Sequence, residues 1–96
     1  MAELTFKIVT PKGAHGPVPC DSIHLTVRDS AHGKGGGSYG IRPGHTKAIL
    51  TLDAGTITAF LTGKTVLSGA CGQGFATVEQ NTVTAVVEEF LEAKHP

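Results

Sequence analysis

The sequence has few cysteines, and this scarcity excludes two classes of small protein. Cys20 and Cys71 are the two cysteines of the chain, and two cysteines cannot build the disulfide framework that a small secreted domain needs. Their wide separation also excludes a redox pair, in which only two residues lie between the cysteines. We therefore interpret both as thiols of a cytosolic protein that pack as small apolar side chains.

An excess of charge and a long apolar segment are also absent. Eight Lys and Arg residues balance eight Asp and Glu residues, so the formal net charge is zero. Because nucleic-acid binding depends on neutralising phosphates, we expect no nucleic-acid partner. No apolar run approaches the ~18 residues of a transmembrane helix, and residues 1–4 lack the basic and apolar regions of a signal peptide. We expect no direct membrane insertion, and the neutral charge favours a chain that works within a larger assembly.

Alternation of apolar and polar residues is the dominant pattern that is present, and it predicts strands. The apolar positions of these strands are Leu4, Phe6 and Ile8; Ile23, Leu25 and Val27; Ala48, Leu50 and Leu52; Ile57, Ala59 and Leu61. Two further β-rich runs, residues 75–78 and 82–87, flank Gln80 and Asn81, which predicts a tight hairpin because Asn tolerates the left-handed region. With turn residues at 11–13, 43–44, 53–55 and 63–64, the pattern predicts an all-β sandwich or barrel.

Two segments differ from this pattern. Residues 33–38 are rich in glycine, which predicts a mobile loop. Residues 88–94 are good helix formers, so we expect a short C-terminal helical stub. The predicted organisation is one β domain over residues 1–88 and a short tail over residues 89–96.

The sequence predicts no active site, cofactor or metal site. The glycine-rich loop lacks the spacing of a phosphate-binding loop. The histidines lack the paired spacing of zinc ligands, and they are His15, His24, His32, His45 and His95. No Gly-x-Ser-x-Gly elbow accompanies Ser68 or Cys71. A non-enzymatic protein is therefore expected.

Two alternative functions remain open at this point. Lys64 is predicted at a hairpin tip within a small β chain, which is how lipoyl and biotinyl carrier domains present their modified lysine, although Gly63 and Thr65 flank it here. The second alternative is a small β-sandwich enzyme or ligand-binding module that uses histidine and cysteine side chains.

A specific motif resembles a known family. Residues 40–45 read GIRPGH, and an apolar strand and the turn LDAG at residues 52–55 follow. This resembles the epsilon subunit of F-type ATP synthases, whose N-terminal domain shows Phe/Leu-Gly-Ile-x-Pro-Gly-His, a strand and a Leu-x-Pro-Gly turn. The resemblance extends over almost all of residues 3–90, and its further matching segments are residues 4–11, 21–27, 72–78 and 82–87.

The resemblance implies a two-sheet β-sandwich and a non-catalytic rotor subunit at the foot of the central stalk. Such a subunit contacts the gamma subunit and the ring of c subunits, and it couples ion translocation to ATP synthesis at the cytoplasmic face of the cell membrane as a peripheral part of the complex. Whether protons or sodium ions drive the motor stays open. The expected gamma-interface residues are Ile41, Pro43, Gly44 and His45. The expected loop facing the c-ring is Gly35, Gly36, Gly37, Ser38 and Tyr39.

Departures from the family pattern qualify these expectations. The loop between Val27 and Gly40 is longer than usual, and residues 37–40 read GSYG where members often carry an acidic residue, so the acidic contact to the c-ring is missing. Typical members continue into a C-terminal helical hairpin, whereas this sequence stops at Pro96. We expect a coupling subunit without the inhibitory C-terminal helices.

Overall fold

Strands account for all the regular structure in the part of the chain that the computed structural model describes, which is residues 3–27, 37–44 and 47–93. The strands are β1 Leu4–Thr10, β2 Gly13–Cys20, β3 Ser22–Val27, β4 Gly37–Ile41, β5 Ala48–Leu52, β6 Gly55–Leu61, β7 Lys64–Cys71, β8 Gly74–Glu79, β9 Thr82–Val87 and β10 Phe90–Glu92. None of the described segments is a helix long and apolar enough to cross a bilayer.

The strands form two sheets that face each other. The first sheet has the order β10-β7-β6-β3-β4, and the second has the order β5-β8-β9-β1-β2. Neighbouring strands are antiparallel except β1 and β9, which are parallel. A single residue pair, Val27 and Leu52, joins the sheets at one corner. The predicted all-β, two-sheet sandwich is therefore confirmed.

The corner between β5 and β6 needs a glycine. There the Asp53 N–H donates to the Thr26 carbonyl (3.0 Å), and the chain passes from the second sheet to the first. A Cβ on Gly55 would lie 2.5 Å from Oγ1 of Thr26, which is far closer than two nonbonded atoms approach. At the turn expected at residues 53–55, the chain thus passes so close to the Thr26 side chain that glycine is favoured at position 55.

Two hairpins have the two-residue turns that suit twisted strands. Between β8 and β9, Gln80 and Asn81 have φ values of 50° and 60°, as the sequence predicted for this hairpin. Between β6 and β7, Thr62 and Gly63 have φ values of 51° and 80°. The second turn therefore lies one residue earlier than residues 63–64, and Lys64 is the first residue of β7.

The core lies between the sheets and takes alternate residues from both. Most of the predicted apolar positions are buried, and these are Leu4, Phe6, Ile8, Ile23, Leu25, Leu52, Ile57 and Ala59. Ala48, Leu50 and Leu61 are half-buried. The β8–β9 hairpin adds five more buried residues, Ala76, Val78, Val83, Ala85 and Val87. Among the described residues, no buried side chain is polar or charged, so apolar packing holds the sheets together.

Two segments differ from the sequence expectation. Residues 13–20 contain Gly and Pro and lie outside the alternating segments that predicted strands, yet they form β2 at the edge of the second sheet. Proline is tolerated there because one side of the strand needs no N–H donor. The prediction of a helical stub at residues 88–94 is wrong for residues 88–93, the part of this segment that the structure describes. Phe90–Glu92 is β10, which pairs with β7. Burial of Phe90, 7% exposed, outweighs the weak helix preference of so short a segment.

Candidate functional site

Strand β4 contains parts of both segments that the sequence predicted as contact surfaces. Its antiparallel pairing places Ile41 beside Ile23 and Gly37 beside Val27. At about 3.4 Å per residue, the five residues of β4 span roughly 13 Å. The expected gamma segment begins with Ile41 at one end of this strand, and the expected c-ring segment includes Gly37, Ser38 and Tyr39 from its other end.

The first of these ends is held by one side chain. The Gly44 N–H donates to Oδ1 of Asn81 (2.9 Å), and the backbone carbonyl of Asn81 accepts from the Thr5 N–H (2.9 Å). Asn81 thereby joins the Pro43-Gly44 turn to the β8–β9 turn and to β1. We refer to the turns around Gly44, Thr62 and Asn81 as the Asn81 end.

Charged side chains complete the Asn81 end. Nζ of Lys47 lies 3.6 Å from Oε2 of Glu79, and both side chains are exposed. The carboxylate of Asp21 accepts a hydrogen bond from the Thr62 N–H (2.9 Å). This end therefore presents a polar surface of turns whose backbone N–H groups are held by neighbouring side chains. The sequence identified Asn81 only as a hairpin residue, and its contact with Gly44 depends on the fold.

The predicted gamma-interface residues differ in their accessibility. Pro43 is half-buried and Gly44 is exposed. Ile41 is fully buried in the core, so its side chain is not exposed at this end, and its place near a gamma interface stays a prediction. His45 lies outside the described residues.

The opposite end of the sandwich carries the segment predicted to face the c-ring. We call it the Glu88 end, and it comprises residues 10–13, 53–55, 72–74 and 87–89. Tyr39 is half-buried against the core. Gly37 and Ser38 begin β4, whereas Gly35 and Gly36 lie outside the described residues.

A groove of about 640 Å³ opens on the second sheet at the Glu88 end. Its lining is mostly apolar and includes Val9, Leu52, Phe75 and Val86, with Glu88 beside them. Phe75 is 45% exposed, and on the same outer face Ile49 is 77% exposed. The outer face of the second sheet therefore exposes large apolar side chains.

Both cysteines are free thiols buried in the sandwich. Burial raises the pKa of the Cys20 thiol to about 11, and the negative charge of Asp21 adds to this effect. Burial likewise raises the pKa of Cys71. Since the thiolate is the reactive form, the raised pKa values disfavour a nucleophilic role for either thiol. Within the described ranges, no three His, Cys, Asp or Glu side chains are grouped to hold a metal ion.

Lys64, the basis of the carrier-domain alternative, lies directly after the Thr62-Gly63 turn and is exposed. It therefore lies one residue beyond the hairpin tip at which the sequence predicted it, and a modification of Lys64 stays a prediction.

Comparisons with known proteins bear on these possibilities. A family model described as the β-sandwich domain of the ATP synthase delta/epsilon chain matches residues 3–93. No curated protein matches the chain.

Two solved structures contain chains of similar fold. One is the OSCP/F1/c-ring structure of the Euglena gracilis mitochondrial ATP synthase, with 18% identity and a TM-score of 0.76 over 96% of this chain and 54% of the other. The second is the central stalk and c-ring of the Tetrahymena thermophila mitochondrial ATP synthase, with 14% identity and a TM-score of 0.68 over 93% of this chain and 66% of the other. The present chain thus spans between half and two thirds of these relatives, and at such identities the likeness shows a shared fold.

Proposed function

Since the chain belongs to the family of ATP synthase delta/epsilon chains, as their β-sandwich domain, we propose that it is a non-catalytic rotor subunit in the central stalk of an F-type ATP synthase. It links the gamma subunit to the c-ring and couples ion translocation to ATP synthesis. The observation that carries the proposal is the family match over residues 3–93, which includes every strand of the sandwich.

A rotor subunit has to transmit torque without deforming, and the sandwich has the corresponding construction. Its core is continuous between the two sheets and contains no buried polar side chain among the described residues. Close-packed interiors have low compressibility and transmit strain. Such a block carries force between two partners without performing chemistry itself.

The two ends of the sandwich serve as the two contact surfaces in this proposal. The Asn81 end, with Pro43, Gly44 and His45, contacts gamma. The segment Gly35 to Tyr39 faces the c-ring. Support comes from β4, because it runs from the Glu88 end at Gly37 to the Asn81 end at Ile41, and a subunit that bridges two partners needs surfaces that face apart.

In this proposal the subunit is a peripheral part of the complex, at the cytoplasmic face of the cell membrane. Its contacts to gamma and to the c-ring hold it there, and no part of the described sandwich inserts into lipid.

Co-purification with gamma tests the proposal. The chain and the gamma subunit of the same complex are co-expressed, with an affinity tag on gamma alone, and the affinity of the recovered pair is measured by calorimetry. We expect a one-to-one complex. Absence of co-purification, under conditions in which gamma assembles with the other head subunits, would overturn the proposal.

The substitution Asn81→Gly tests whether the Asn81 end contacts the gamma subunit. Glycine keeps the positive φ of residue 81 but deletes Oδ1, so the Gly44 N–H loses its acceptor. We expect a several-fold weaker complex with gamma. Gln80→Gly is the matched control in the same turn and should change the affinity less than about twofold. Equal effects of the two variants would place the gamma interface elsewhere.

A further inference from the structure

The outer edge of β7 is a groove shaped for one extended segment. Gly69 is a buried residue of this strand, and a Cβ at its position would lie 2.7 Å from two ring atoms of Phe90 and would overlap the Leu91 carbonyl. The His15 ring of β2 contacts the same Phe90 ring edge-on, at a centroid distance of 4.9 Å. The missing side chain at position 69 therefore leaves a slot that an aromatic ring fills.

Strand β10 occupies this groove in the manner of a bound peptide. Its three residues pair with β7. At one end of the pairing the Ala93 N–H donates to the Ser68 carbonyl (2.7 Å), and at the other the Gly72 N–H donates to the Glu89 carbonyl (3.0 Å). Phe90 is the one side chain of β10 that is buried. Backbone hydrogen bonds together with an anchoring side chain are the means by which a sheet edge binds an added strand.

Few contacts hold β10 within its own chain. Besides its single buried side chain, a cavity of about 450 Å³ lies between the β1–β2 turn and β10, so part of the strand lacks packing partners. Segments with few buried apolar contacts open locally at low free-energy cost. Only Glu88 and Glu89 connect β10 to β9, and no strand follows β10 within the described ranges. The strand can therefore leave the groove while the other described strands stay paired.

We propose that the β7 groove also binds β10 of a second copy of the chain, so that two copies exchange this strand. The second copy offers the same aromatic anchor and the same backbone hydrogen bonds as the strand that the groove already holds. Since the formal net charge is zero, two copies do not repel each other through their net charge. Exchange of an identical element needs no new interface. The inference concerns the sandwich alone and does not depend on the proposed rotor function.

The exchange depends on protein concentration. A strand held by a two-residue connection has an effective concentration on the order of millimolar at its own groove. The arrangement within one chain therefore predominates in dilute solution, and exchange becomes extensive at protein concentrations of about 1 mM. A disulfide that forms only between copies makes the exchanged pair measurable.

Two variants of the full chain supply this disulfide. Ala70 of β7 and Leu91 of β10 lie directly opposite each other, and both are exposed. Ala70→Cys in one copy and Leu91→Cys in the other are brought into this register only when β10 passes between copies. The two variants are mixed at about 1 mM under oxidising conditions. We expect a covalent dimer on non-reducing gels, with the bond located between positions 70 and 91 by mass spectrometry.

A matched mixture measures random cross-linking. Ile49→Cys replaces Leu91→Cys in it, because Ile49 is 77% exposed on the outer face of the other sheet. Cys20 and Cys71 are present in both mixtures and contribute equally to their backgrounds. The yield of dimer from the first mixture should exceed that of the control by at least about fivefold, since half or so of the grooves exchange at this concentration. Equal yields would overturn the proposal.

Gly69→Ala identifies which copy receives the strand. Its Cβ meets the Phe90 ring and the Leu91 carbonyl, so it closes the groove of the copy that carries it. In the copy with Ala70→Cys, it should reduce the dimer to the yield of the control mixture. In the copy with Leu91→Cys, it should raise the yield, because the β10 of that copy no longer has a groove of its own. Equal changes for the two placements would overturn the proposal.

Discussion

At the Asn81 end side chains from distant segments hold the turns, whereas at the Glu88 end two glycines leave room for the neighbouring strand. Oδ1 of Asn81 accepts from the Gly44 N–H, and the Asp21 carboxylate accepts from the Thr62 N–H. At the other end, Thr10 and Asp53 bond to backbone groups of their own turns. There Gly55 lies against the Thr26 side chain, and a Cβ on Gly74 would overlap the Val86 carbonyl and lie 2.7 Å from Cα of Val87. One end is therefore held by polar contacts between distant segments, and the other also needs two positions without a side chain.

The glycines of the two ends are consequently there for different reasons. Gly44 has a φ of +83°, and nothing lies within 4 Å of the position that its Cβ would take. Glycine is needed there for its backbone conformation. Gly74 lies within a strand without a positive φ, and glycine is needed there because the neighbouring backbone occupies the space. The same residue type thus solves a conformational problem at Gly44 and a steric problem at Gly74.

The largest expected effect comes from a substitution in the core, which both ends share. Ile41→Ala deletes a fully buried side chain beside the Asn81 end, and it should lower the free energy of unfolding by about 2–5 kcal/mol. Ile49→Ala is the control, because that side chain is 77% exposed and should change stability by less than about 0.5 kcal/mol. Urea denaturation measures both. A decrease as small as that of Ile49→Ala would contradict the burial of the Ile41 side chain.

A pair of glycine substitutions tests the difference between the ends. Gly74→Ala forces a Cβ into backbone atoms and should cost about 3 kcal/mol, whereas Gly44→Ala meets only the φ penalty of about 1 kcal/mol. Asparagine tolerates positive φ, so Gly44→Asn should recover most of that loss, while Gly74→Asn should recover none. Urea denaturation of the four variants measures the pattern. If asparagine rescues both positions or neither, the assigned reasons for the two glycines are wrong.

The smallest expected effect concerns the two thiols, one near each end. Burial raises the pKa of Cys20 to about 11 and also raises that of Cys71, so the folded chain keeps both protons while unfolded thiols lose theirs near pH 8.5. The unfolded state then binds fewer protons, and stability should fall as the pH rises from about 9 to 11. Urea denaturation at several pH values checks this slope. A stability that stays constant up to pH 11 would contradict the raised pKa values.

The substitution Asp21→Asn should lower the pKa of Cys20 without changing that of Cys71. It removes the negative charge that helps to raise the pKa of Cys20, while the amide oxygen still accepts from the Thr62 N–H. Alkylation by iodoacetamide at pH 9, located by mass spectrometry, should become faster at Cys20 and stay unchanged at Cys71. Equal acceleration of both would indicate a general loosening of the fold.

The sequence by itself determined the sandwich, most of its buried positions and the family. Alternation is a local signal, because every second side chain of a strand points to the same face, and Leu4, Phe6 and Ile8 show it directly. The β8–β9 turn was also predictable, since Asn81 accepts positive φ without help from the rest of the fold. Motif spacing at residues 40–45 indicated the family that the family model also matches.

Only the tertiary structure decided which segments are edge strands and which predicted site residues are accessible. Residues 13–20 carry prolines that discourage a strand, yet pairing with β1 makes them one. Phe90 lies in a sequence that favours helix, yet its burial beside β7 makes it a strand residue. Ile41 reads as part of a surface motif but fills the core, and Gly44 depends on Asn81, which lies far along the chain. Each of these outcomes rests on contacts between distant segments. The free energy of these contacts exceeds the local conformational preference, and the contacts produce no periodic pattern in the sequence from which they could be predicted.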